Sequence, residues 1–122
     1  MIDHAKYVRI VDRLIEGTNS RSISWKISAR RDSFVTVLGS GMIEICRNEQ
    51  IDEDGHPIEW FDLFIMDSSG NVADRLSSST SLSGWDSTAF EVRRLAELYK
   101  AARGSAIATG TVVDEILGEL LA

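Results

Sequence analysis

Apolar residues recur every three or four positions near the start of the chain. Tyr7, Val8, Val11, Leu14 and Ile15 share one stripe, and Ile10 widens it. That spacing predicts an amphipathic helix over about residues 3–16, capped by Asp3 and stopped by Gly17. The period then changes to two. From Ser22 to Arg30 apolar side chains hold the odd positions and polar ones the even positions, the mark of a strand wet on one side, with Trp25 in the core-facing set. Further strands are expected over 33–38 and 42–47, joined by turns of two or three residues that favour antiparallel neighbours. An acidic loop over 49–57 precedes a long strand over 58–67. The turn Asp67-Ser68-Ser69-Gly70-Asn71 leads to a short strand over 72–76, and the polar stretch Ser77–Gly84 reads as a connector.

Two helices are expected to close the chain. Thr88 and Glu91 form a capping box ahead of Val92, Leu95, Leu98, Tyr99 and Ala102, with Gly104 as the stop. Thr111 and Asp114 form a second box ahead of Ile116, Leu117, Leu120 and Leu121. The predicted fold class is α+β, as a single domain over 1–122. It has an N-terminal helix, an antiparallel meander of about five strands, and two C-terminal helices packed on one sheet face.

One strand departs from simple alternation. In Ile58–Asp67 the odd positions Phe61, Leu63 and Ile65 make a core face, yet the even positions carry Trp60, Phe64 and Met66, interrupted by Asp62. A strand with one wet face has no need of apolar area on both sides. Two explanations stand: the N-terminal helix or the serine-rich connector covers the far face, or another chain does. Contiguous exposed apolar area marks interaction sites, and these residue types are enriched at interface cores.

Composition narrows the function classes. The chain has 122 residues, 43% of them hydrophobic, which suits one globular core and leaves no run long enough to span a bilayer. Met1–Lys6 lacks a basic start followed by an apolar stretch, so no secretory signal is expected, and Cys46 as the sole cysteine excludes an internal disulfide. A cytoplasmic location is the expectation. The net charge is −6, unevenly spread: residues 1–31 hold seven bases and three acids, and residues 32–122 hold six bases and sixteen acids. An acidic surface disfavours nucleic acid and anionic membranes and suits a basic protein partner.

Catalytic signals are sparse. His4 and His56 are the only histidines, no Gly-x-Ser-x-Gly elbow occurs, and Cys46 sits within a strand as a structural thiol. The loop around Asp52, Glu53 and Asp54 fails as a calcium loop, because with Gly55 sixth the first and twelfth positions are Gln50 and Phe61. Gly39-Ser40-Gly41 has Glu44 where a dinucleotide fingerprint needs its third glycine. Lys26, Arg30 and Arg31 lack interleaved aromatics and read as a solvated face. No cofactor or metal is expected. Size, acidity and mixed make-up are broadly similar to those of immunity proteins, secretion chaperones and phage-encoded inhibitors, a likeness of composition that carries no residue across.

The leading expectation is a non-enzymatic binding protein that acts by protein–protein contact, with a protein partner or as a homodimer. Trp60, Phe64 and Met66 would be its anchors, and Asp52, Glu53 and Asp54 its acidic rim. The alternative is a small-molecule or nucleotide-binding domain or small enzyme with a pocket between sheet and C-terminal helices, where Asp62 would be the carboxylate of interest.

Overall fold

The computed structural model describes residues 4–78 and 89–121, with side chains at 5–78, 93–108 and 116–121 of these. Helix α1 spans His4–Asn19. It runs past Gly17, where the absence of a Cβ leaves room for the Ile23 side chain: an added Cβ would lie 2.5 Å from Ile23 Cδ1, which would have to shift. Arg21 then reverses the chain at a φ of 64°. The Asp3 cap lies outside the described residues.

Five strands follow, β1 Lys26–Ile27, β2 Ser33–Leu38, β3 Gly41–Ile51, β4 Pro57–Met66 and β5 Val72–Ser77, each pairing antiparallel with the next. This is the expected meander. The first strand is far shorter than its alternation predicted. Trp25 explains this: its backbone N–H donates to Ser105 Oγ at 3.0 Å instead of a strand neighbour, and its fully buried ring drops between the helices. Ile27, which alternation placed in the core, is 70% exposed. The acidic loop is also shorter than expected, because β3 and β4 continue pairing out to Ile51 and Pro57.

Helix α2 spans Ala89–Leu121. Both expected C-terminal stretches are helical, and they join without a break across Gly104. Thr88 lies outside the described residues, as do the side chains of Thr111 and Asp114. At 33 residues α2 is roughly 50 Å long, yet its last core residue among the described side chains is Ala106. Among the described residues no helix is long and apolar enough to cross a membrane.

The core lies between the two helices and one sheet face. Val11, Leu14 and Ile15 from α1 and Leu95, Leu98, Ala102 and Ala106 from α2 pack with Trp25, Phe34, Ile43, Ile45, Phe61 and Leu63. Tyr99 lies 5.5 Å from Phe34 and 5.3 Å from Phe61, ring centre to ring centre. Thr18 is buried beneath, donating to Leu14 O at 2.6 Å and accepting from Trp25 Nε1 at 2.8 Å. Arg94 of α2 donates through Nε to Asp12 of α1 at 3.0 Å, tying the helices at the solvent edge.

Candidate functional site

Strand register decides what the opposite sheet face carries. Residues directly across from one another share a face. Phe34, Ile45 and Leu63 stand in one row of the helix-covered side, so the intervening positions project from the outer side. Three outer rows follow. Val37, Met42 and Met66 run across β2 to β4 as an apolar band, and a register shift between Ile65 and Met66 interrupts the row before β5. Val35, Glu44, Phe64 and Arg75 form the next row, and Ser33, Cys46, Asp62 and Ser77 the third. Asn48 and Trp60 pair beyond that.

Trp60, Phe64 and Met66 are therefore on the face opposite the helices, and each is half-buried. Of the two covers considered within the chain, α1 packs on the other face, and residues 79–84 of the connector lie outside the described residues. Val37 is 69% exposed, so the band is open at its β2 end. The sequence reading missed Val37 and Met42. Closing the β2–β3 hairpin at Gly39-Ser40 would have found them, because it sets Leu38 against Gly41 and Val37 against Met42.

The middle row is held by charge. The guanidinium of Arg30 lies 5.3 Å from the Phe64 ring centre and that of Arg75 5.5 Å, both within cation–π range. Each arginine also serves a carboxylate: Arg30 approaches Glu44 at 3.6 Å, and Arg75 Nη2 donates to Asp62 at 3.2 Å. Glu44 accepts from Ser28 Oγ, and Asp62 accepts from Asn48 Nδ2 at 2.9 Å. Both acids are buried, so these partners replace the water they have lost. Between them, burial pushes the Cys46 thiol above its ordinary pKa; a hydrogen bond with Ser33 opposes this, and the Glu44 charge reinforces it. A thiol held protonated is a poor nucleophile. Trp60 Nε1 is buried and has no hydrogen-bond partner among the described residues.

Two sequence expectations change position. Asp62 does not line a pocket between sheet and C-terminal helix, because its register with Cys46 and Ser77 puts it on the outer face. A cavity of about 510 Å³ does lie between β3–β4 and α2, and its polar groups are Arg47, Glu59, Lys100 and Arg103 beside Phe61 and Tyr99. Arg47 is already engaged there, donating to Glu59 at 2.7 Å. Asp52, Glu53 and Asp54 do not ring the anchors either. They form the β3–β4 hairpin tip, roughly 10 Å along the strand beyond Trp60 and roughly 30 Å from Met66 at 3.4 Å per residue. One ligand atom each from Asp52, Asp54 and His56 lie within 4.8 Å of one another. Hydrogen bonds within the loop account for this: Asp52 Oδ1 accepts the backbone N–H groups of Asp54 at 3.0 Å and His56 at 2.8 Å.

No family model, curated protein or solved structure matches this chain.

Proposed function

We propose that the chain is a non-enzymatic cytoplasmic binding protein, of inhibitor, immunity or chaperone-like type, that acts by protein–protein contact through its outer sheet face. The observation that supports this reading is the apolar band Val37–Met42–Met66 lying beside Phe64 and its two arginines, opposite the helices. Methionine, aromatic residues and arginine are the types enriched at interface centres, where truncation costs most. A protein partner, or a second copy, would cover the band and be occluded or held by it. The acidic hairpin tip, at the far end of the same strands, would steer a basic region of the partner during approach.

The test is co-purification from the source cells, comparing wild type with Trp60→Ala/Phe64→Ala and with Met42→Asp. A protein retained by wild type and lost by both variants, with circular dichroism unchanged, supports the reading. Equal retention by all three refutes it. Gross unfolding of the double variant would assign its two rings to stability, and Met42→Asp then decides.

A second reading has its own observation. The cavity between β3–β4 and α2 presents Lys100 and Arg103 beside two aromatic rings, an environment suited to a small anionic ring compound. Thermal stabilisation of a monomer by such a compound would favour this pocket over the interface.

A further inference from the structure

The C-terminal end of α2 carries apolar residues that are exposed. Among the described side chains its buried positions end at Ala106, and the fifteen residues beyond it extend about 22 Å. Ile116, Leu117, Leu120 and Leu121 are 51%, 48%, 75% and 83% exposed, and their spacing places them along one stripe. Such an end is marginal as an isolated helix and gains its stability from packing. The charged residues of this end are all acidic: Asp114, Glu115 and Glu119.

On the body of the same chain lies a feature of the complementary kind. A groove of about 510 Å³ runs between α1 and the sheet, floored by apolar side chains such as Ile10, Leu38 and Ile65 and edged by Lys6, Arg9 and Arg13. Arg9 and Arg13 are exposed and form no ion pair with a described residue. An apolar floor with a cationic edge suits an apolar stripe on a helix end whose charged residues are all acidic.

We infer that the groove beside α1 receives the C-terminal end of α2 from a second copy of this chain. Exchange is reciprocal, so the two-fold pair makes the contact twice and closes. Doubling matters, because one helix end alone buries less than the roughly 1,000 Å² of a stable interface. Opposite charges at the groove edge set the direction in which the helix lies. The pairing uses neither Trp60, Phe64 nor Met66, so it stands apart from the outer-face reading.

Mass in solution tests this, by light scattering at about 100 μM, a concentration at which micromolar contacts are populated. Wild type should show twice the chain mass of 13.5 kDa. Leu117→Asp/Leu120→Asp should return it to single mass, as should Arg9→Glu/Arg13→Glu, each with unchanged circular dichroism because the altered residues are exposed. The decisive arm is charge reversal. Adding Glu119→Arg to the Arg9→Glu/Arg13→Glu chain should restore the doubled mass. A monomeric wild type overturns the inference. So does a dimer that the helix-end variant breaks while the groove variant leaves it intact, which would mean that two helix ends pair with each other. Failure of charge reversal to restore pairing also overturns it. Loss of the dimer with Trp60→Ala/Phe64→Ala alone would move the contact to the outer face.

Discussion

Replacing Thr18 by Val changes one atom type at nearly constant shape and asks whether the helix-to-tryptophan link contributes to stability. Thr18 is 7% exposed and Trp25 is completely buried, so no water stands ready to replace a lost partner. In the native chain the Thr18 hydroxyl donates to Leu14 O and accepts from the Trp25 indole N–H at 2.8 Å. Valine fills the space but leaves that N–H unsatisfied in the core. The cost of an orphaned buried donor is about 1–3 kcal/mol. Thr and Val have similar helix propensities, so no compensating gain comes from the backbone. Accounting by apolar burial alone gives the opposite sign, because Val is the more hydrophobic residue. The sign therefore decides between the two arguments. Urea unfolding followed by far-UV circular dichroism should show Thr18→Val destabilised by about 2 kcal/mol, a fall in Tm of very roughly 8 °C for a domain of this size. Thr18→Ser, which keeps the hydroxyl and loses a methyl group, should cost about 1 kcal/mol. In a Trp25→Phe background, where the N–H is gone, Thr18→Val should have little further effect. A Thr18→Val protein as stable as wild type, or an equal loss with and without the indole, would refute the reasoning.

Two other predictions concern stability. Burial, reinforced by the neighbouring Asp74, pushes the Tyr7 hydroxyl up to about 12 from its ordinary 10.0. The folded chain then holds this proton more tightly than the unfolded one. The contribution is complete below pH 10 and is lost as pH rises toward 12. Urea midpoints measured across that range should fall, and Tyr7→Phe should flatten part of the fall. At Gly41 an added Cβ would stand 2.9 Å from the Met66 carbonyl oxygen, a backbone atom fixed by the β3–β4 ladder. Gly41→Ala should cost about 1–3 kcal/mol in urea unfolding by overpacking. Gly39→Ala meets nothing within 4 Å, and should cost only the roughly 1–2 kcal/mol of a left-handed φ of 58°.

Much of the fold is legible along the chain because the patterns are local. A stripe at three- and four-residue spacing predicts α1, and the alternation and turn residues of 33–77 predict four strands joined as hairpins. Both are consequences of where consecutive side chains project. The same patterning singles out Trp60, Phe64 and Met66, because one strand carrying apolar groups on both faces is visible without coordinates. Two misplacements have long-range causes. The alternation of 22–30 is genuine, but Ser105, eighty residues away, takes the Trp25 amide and ends the strand at two residues. Gly104 is a reasonable helix stop by propensity, yet α2 passes through it. Its penalty of about 1 kcal/mol is small beside the burial of neighbouring Leu98, Ala102 and Ala106.

Sequence by itself determined the element types, their antiparallel order and the oddity of the fourth strand, since each depends on residues within one or two turns. Tertiary structure alone decided which residues share a face. Register joined Val37, Met42 and Met66 into one band, and turned Asp62 away from the helices. It also left Ile116, Leu117, Leu120 and Leu121 of α2 exposed while opening a basic-edged groove beside α1. Those relations hold between residues distant along the chain, and only the pairing of strands and the packing of helices fixes them.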